Sequence, residues 1–299
     1  MPEPTPSRRR GRLLRYGAAV LVLLCLAAYL AVQQLNRPES TRCVVVSGDG
    51  DGPGADGSGS RYELTPEMAG NAATIAAVGT SEGLPERAVT IAIATAMQES
   101  GLRNIDYGDR DSVGLFQQRP SKGWGTVEQI MDPAYSARKF YDGLRTIPGY
   151  SRLPLTVAAQ KVQRSGFPQA YAKHEPDATL LAAAFTGRAD GVLSCRGLRD
   201  RRAGSAETVW NGVQRDFGAA ASDGRAKGRT LTLPVGRALS DGAAPTDRRG
   251  WELAHWAVAQ AQSMGIERVT YGGREWSGAG WSAARGVSSR DEVRITVTR

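Results

Sequence analysis

The sequence predicts a mostly α domain, preceded by a single transmembrane helix and followed by a small α+β domain. Three observations predict this order. An uncharged run near the N-terminus follows a cluster of arginines. From Tyr62 to about Gly187, successive segments open on capping residues and carry apolar residues at helical spacing. After Gly204, one long amphipathic helix is mixed with alternating runs of strand type. The chain has 299 residues, enough for two domains of ordinary size, and its 41% hydrophobic and 23% charged residues are globular in balance.

Residues 1–15 are a basic tail. From Tyr16 to Val32 the run "YGAAVLVLLCLAAYLAV" carries no charge, and Gln33, Gln34 and Leu35 extend it to a span over 16–35. Clustered Arg before it and none immediately after it place the tail in the cytoplasm and the bulk outside a cell membrane. A cleaved signal peptide is the rival reading. The exit "AAYLAVQQ" puts Tyr or Leu where a cleavage site wants small residues, which favours a retained anchor. The net charge of +8 would suit an anionic partner, but Arg8, Arg9, Arg10, Arg12 and Arg15 supply five of those charges. The Arg preference of a GC-rich genome accounts for the charge equally well, and no nucleic-acid partner is expected.

Residues 36–61 read as a connector, with the Gly, Asp and Ser of "SGDGDGPGADGSGS" giving a flexible spacer. Cys43 and Cys195 both fall on the expected outside, where an oxidising setting closes pairs, so a Cys43–Cys195 disulfide is predicted. The alternative is two free thiols. Cys25 sits inside the uncharged run, after Leu24, which makes a poor lipoprotein site.

The α domain is expected over 62–203. "LTPEMAGNAATIAAVG" offers Thr65 as cap and Pro66 as first helical residue, and "LPERAVTIAIATAMQESG" starts at Pro85 and stops at Gly101. "DPAYSARKFYDGL" repeats the pattern with Asp132 and Pro133, and "LTVAAQKVQRSG" and "EPDATLLAAAFTG" follow it. A long loop separates Gly101 from Asp132, and long loops inside compact domains usually have a job. Over 204–299, "AETVWNGVQRDFG" and "RRGWELAHWAVAQAQSMG" read as helices, and "GRTLTLPVG", "RVTYGG" and "EVRITVT" as strands. "SDGRAKG" and "SDGAAPTDRRG" read as loops. No internal repeat is visible.

One carboxylate stands out. Glu99 ends an almost wholly apolar run, on a helix face shared with Ala92, Thr95 and Ala96, where small side chains leave room for a ligand. Burial among apolar groups and the negative end of the helix dipole both raise its pKa. A group so placed can hold a proton near neutral pH and deliver it to a leaving oxygen, as the general acid of glycoside cleavage does. The same position also suits an exposed Glu at a fraying helix end.

"QES…GLFQ" resembles the "ES…GLMQ" signature of the soluble lytic transglycosylase and goose-type lysozyme superfamily. The Glu99 to Gly114 spacing of fifteen residues matches that of the family. The resemblance, in an actinobacterial branch marked by "GDRDSVGLFQQRPSKGWGT" and "AAQKVQRSGFP", covers about 130 residues from Tyr62 to Cys195. It implies a lysozyme-like domain with Glu99 as catalytic acid and Ser100 steadying it. Gly114, Leu115, Phe116 and Gln117 would form a wall of the saccharide cleft. "AAAFTG" is similar to the family's "AYNAG", which would put Phe185 and Thr186 along that cleft; Phe185 lacks the hydroxyl of the family's Tyr. Trp124 would serve as a sugar-stacking platform, or as a core tryptophan beneath the loop. The implied activity is cleavage of the MurNAc–GlcNAc bond of peptidoglycan.

Hydrolysis of that bond normally needs a second carboxylate, and Asp106, Asp109 and Asp111 are the candidates. "DYGDRDS" reads equally as a turn salt-bridged to Arg110 or Arg103. A single acid suffices for a lytic transglycosylase, which is the favoured reading over an inverting muramidase. A non-catalytic wall-binding protein that keeps the cleft is the alternative. Transport is set aside, since one span with no intramembrane charge and no Cys or His cluster builds no permeation path.

The C-terminal "GWELAHWAVAQAQSMGIERVTYGGREW" and "DEVRITVTR" resemble a small domain of secreted wall proteins related to zinc-peptidase folds. Members carry two His in the last strand, where this chain has Glu292 and Arg294. With only His174 and His255 in the chain, no metal and no other cofactor is expected. The module reads as a degenerate enzyme, with Tyr271, Trp276 and Trp281 available for glycan stacking or for core packing, and His255 as a packed or surface helix residue.

Overall fold

The first helix of the folded body starts where the sequence says it should. Thr65 is extended and its side chain accepts from the Met68 N–H, with Pro66 next, opening α1 (Pro66–Ser81). Helix α2 (Glu86–Ser100) begins after Pro85 and ends on Gly101 in the left-handed conformation. Asp132 caps α4 (Pro133–Arg145) by accepting from the N–H groups of Ala134 and Tyr135. The short α3 (Val127–Ile130) lies between them, closed by a capping box from Thr126 and Gln129. Helices α5 (Leu155–Gln163) and α6 (Glu175–Phe185) follow. In this computed structural model the described residues are 16, 21, 23–29, 41–47, 59–164, 168–198, 203–221, 223–235, 246–286 and 288–298.

The residues form two separate units, Met1–Ser40 and Thr41–Arg299. In the first, Tyr16, Leu21 and residues 23–29 are helical; the basic tail and the rest of the 16–35 segment lie outside the described residues. Among the described residues no helix is long and apolar enough to cross a membrane. The expected transmembrane anchor, and the single-pass localisation with a cytoplasmic N-terminus, are corrected accordingly. The physical reason is reach. The longest described helical run there, residues 23–29, covers only about 10 Å, against about 30 Å of hydrocarbon.

In the second unit, α1 is buried on nearly all sides, packing against α2, α4, α7 (Ala206–Phe217) and α8 (Thr246–Ala259). Gly79 lets α4 approach: a Cβ there would stand 2.7 Å from the Tyr141 hydroxyl, which donates to Ile75 O at 2.9 Å. The expected mostly α class is also corrected, because about half of the described residues are helical and two antiparallel sheets accompany the helices among them. One has the order β2 (Arg61–Leu64), β1 (Arg42–Val46), β3 (Leu193–Arg196). The other runs β4 (Arg225–Lys227), β5 (Thr230–Pro234), β9 (Glu292–Val297), β6 (Ile266–Tyr271), β7 (Arg274–Trp276), β8 (Trp281–Ala283).

Strand β1 lies within the expected connector 36–61, and most of the Gly/Asp spacer lies outside the described residues. Cys43 and Cys195 are directly opposite on β1 and β3 and form a disulfide across 152 positions of sequence. Residues of 62–203 and of 204–299 share one buried cluster. Between them sits Asp216, wholly buried, which accepts from Thr74 Oγ1 and Trp256 Nε1, both at 2.8 Å, and from Arg215 Nε at 2.6 Å. Three helices thus converge on one carboxylate.

Candidate functional site

Glu99 is the penultimate residue of α2, at the point where the chain turns sharply away. Leu102 N–H bonds to Ala96 O and Gly101 N–H to Met97 O, which closes the helix. Both Gly101 and Leu102 are left-handed, with φ of 65° and 60°. Leu102 bears that conformation because its side chain is fully buried and Asn71 Nδ2 donates to its carbonyl at 2.8 Å. Ser100 Oγ lies 2.8 Å from Leu115 O, tying the helix end to the loop.

Two further segments reach the carboxylate. Tyr171, in the 3-10 turn Pro168–His174, donates its hydroxyl to Glu99 Oε1 at 2.6 Å. Gln163, the last residue of α5, also bonds to the Glu99 side chain and donates to Phe116 O at 2.6 Å. His174 Nε2 lies 3.2 Å from Gln98 Oε1, bracing the same turn against α2. Burial raises the Glu99 pKa above its ordinary 4.5; the bonds from Tyr171 and Gln163 oppose that shift without cancelling it. The result is a partly buried, oriented carboxyl group that holds its proton to higher pH than a free one. Left-handed non-glycine residues gather around it: Leu102, Gln117 (φ 48°) and Arg164 (φ 54°) each lie within one to three positions of a residue that touches Glu99 or its loop. Such strain persists only where the surroundings enforce it.

The loop supplies backbone to this place rather than side chains. Gly114 has φ of 79°, and a Cβ there would stand 2.8 Å from Ile130 O, so only glycine fits. Leu115 and Phe116 are fully buried, with Phe116 stacked on Phe140 at 4.8 Å, so their carbonyls and not their side chains face Ser100 and Gln163. Gln117 is partly exposed and makes only long contacts, 3.3 Å to Tyr107 O and 3.4 Å to Gly114 O. Trp124 packs against the core, its ring edge turned to Gly143 of α4.

Phe185 is in the core, and Thr186 Oγ1 lies 3.1 Å from Glu86 Oε2 at the opposite end of α2. Glu86 and Glu99 stand thirteen positions apart, about 20 Å of helix, so Phe185 and Thr186 are not brought to Glu99. Of the three aspartates, Asp111 is bound by Arg119 Nε at 2.7 Å and the Ser121 N–H at 2.8 Å, which hold it far below the usual carboxylate range. Asp106 and Asp109 are exposed, and Asp109 lies 3.9 Å from Arg110. Tyr171 and Gln163 are the partners that sequence reasoning missed. The available signal was a tyrosine alone in the polar stretch "QAYAKHEP", and a glutamine closing the helix in "AAQKVQ".

In the C-terminal segment Tyr271 and Trp276 are fully buried, and so is His255, whose Nδ1 donates to Ala184 O at 2.7 Å. Trp281 is partly buried and donates to Leu193 O at 2.8 Å. Among the described residues no group of His, Cys, Asp or Glu could hold a metal ion. A cavity of about 430 Å³ lies elsewhere, between the first sheet and β7–β8, and no residue around Glu99 lines it. No protein-family model matches the chain, and a search of curated proteins gives no match.

Proposed function

We propose that this protein cleaves the MurNAc–GlcNAc bond of peptidoglycan as a lytic transglycosylase, with Glu99 as its one general acid. The observation that carries this reading is the Glu99 carboxyl group, partly buried, raised in pKa and fixed by Tyr171 at 2.6 Å. In the proposed step Glu99 gives its proton to the glycosidic oxygen as the C1–O bond breaks. The 6-hydroxyl of the muramic residue then closes on C1 and returns its proton to the Glu99 carboxylate, leaving a 1,6-anhydro sugar. No water and no second carboxylate enter the balance. General acid catalysis of this kind contributes about 10² to 10⁴ in rate. The single-acid route is supported by Asp111, whose oxygens are occupied by Arg119 and Ser121.

The test incubates the oxidised full chain and its Glu99→Gln variant with peptidoglycan and reads released products by mass spectrometry. Anhydro-muropeptides from the wild type alone are the expected result. Reducing muramic ends would replace the mechanism with hydrolysis. Glycan binding by both proteins without product would replace the enzyme with a non-catalytic wall-binding protein.

A further inference from the structure

The cavity between the first sheet and β7–β8 is lined by four guanidinium side chains, Arg42, Arg61, Arg196 and Arg274, and by no acidic residue. Arg61 is compensated by Glu63 at 2.8 Å, and Arg274 lies 5.9 Å over the Trp251 ring. Among the described residues Arg42 and Arg196 make no ion pair, although Glu63, across from Val44 on the same face, lies close enough to Arg42 for that charge to lower the Glu63 pKa. Arg42 and Arg196 are direct Cα partners on β1 and β3, so their side chains rise from the same face side by side. Like charges directly opposite in a sheet repel. The pair cannot slip out of register, because the neighbouring partners Cys43 and Cys195 are covalently joined. Ser194, next on that face and opposite Val44, has a buried Oγ with no hydrogen-bond partner among the described residues. Trp281 closes one side as an apolar wall.

Two guanidinium groups side by side, a hydroxyl with no partner among the described residues and an apolar wall around about 430 Å³ are the ingredients of a site for a small anionic ligand. We propose that this cavity binds a ligand bearing a dianionic oxyanion group, a phosphate monoester or a dicarboxylate, with Arg42 and Arg196 clamping the group and Ser194 donating to it. The proposal is independent of the chemistry at Glu99.

Titration calorimetry of the oxidised full chain against glycerol 1-phosphate and against glutarate tests it and separates the two sources. One of them is expected to bind with Kd of about 1 mM or tighter, more weakly as salt rises. Arg42→Gln/Arg196→Gln is expected to lose at least about tenfold in affinity, as expected for a charge-assisted clamp, while its melting temperature stays near that of the wild type, the relieved Arg–Arg repulsion offsetting the lost attraction of Arg42 to Glu63. Ser194→Ala, which keeps every charge, should bind severalfold more weakly, and Arg152→Gln, on the exposed surface, should bind as the wild type does. Absence of binding by both probes overturns the proposal. So does binding that the double variant leaves intact.

Discussion

Removing the Cys43–Cys195 bond while leaving its surroundings filled is the most quantitative perturbation this fold offers. The bond closes 152 positions of chain. The entropy withheld from the unfolded chain by a loop of that length is about 17 cal/mol/K, or about 5 kcal/mol at 25 °C. Unfolding of the roughly 260 residues of the Thr41–Arg299 unit carries an entropy of about 0.5 kcal/mol/K near its midpoint. Loss of the bond should therefore lower the melting temperature by about 10 °C. Both cysteines are buried, so a serine pair would add two unpaired hydroxyl groups; Cys43→Ala/Cys195→Ala avoids that. The wild type under reducing conditions keeps both sulfurs and should show nearly the same fall. The assay is a thermal melt followed by circular dichroism for oxidised wild type, reduced wild type and the alanine pair. A fall below about 3 °C in both altered forms would refute the loop-closure reasoning. A large fall in the alanine pair alone would assign the loss to packing.

Further outcomes concern protons and buried charge. Because burial raises the Glu99 pKa above 4.5, its neutral form favours the fold at low pH, and that favour is lost as pH rises through the folded value; Glu99→Gln should be more stable than wild type at pH 8 and equal to it at pH 3 in urea titrations. Tyr171→Phe removes a bond to the charged carboxylate, so the alkaline limb of any activity profile should move to higher pH; an unmoved limb would remove Tyr171 from the tuning of Glu99. His255, fully buried, is pushed down to about 4 from 6.5, so the unfolded chain binds its proton first. Stability should fall by roughly 3 kcal/mol between pH 6.5 and 4, a fall absent in His255→Gln. Asp216→Ala should cost about 3 to 5 kcal/mol by chemical denaturation, since it orphans Thr74 and Trp256 and leaves Arg215 without its partner.

The parts of this structure that local chemistry dictates could be read from the sequence. Thr65 and Asp132 cap where capping residues should, Gly101 stops α2, and β5, β6 and β9 follow apolar alternation. The three-stranded sheet could not be read. Its strands have four or five residues each, and β1 finds β3 only through pairing across more than a hundred positions. Strands β4, β7 and β8 have three residues each, too few for any period to show. At the site, Glu99 and Ser100 were legible because one helix end presents both. Tyr171 was not, since its role arises only when a turn 72 positions away folds onto α2. Similarity of short motifs also placed Phe185 and Thr186 beside Glu99, whereas α6 delivers Thr186 to Glu86.

The pairing of β1 with β3 also has a mechanical meaning. If the chain is pulled from its two ends, tension enters through β1, crosses the sulfur atoms between Cys43 and Cys195, and leaves through β3. The segment between those cysteines, with α2 and the turn that holds Tyr171, then bears no load. Under stretching, the helices and strands after Cys195 would peel away first, while the carboxyl group of Glu99 and its hydroxyl partner stayed together.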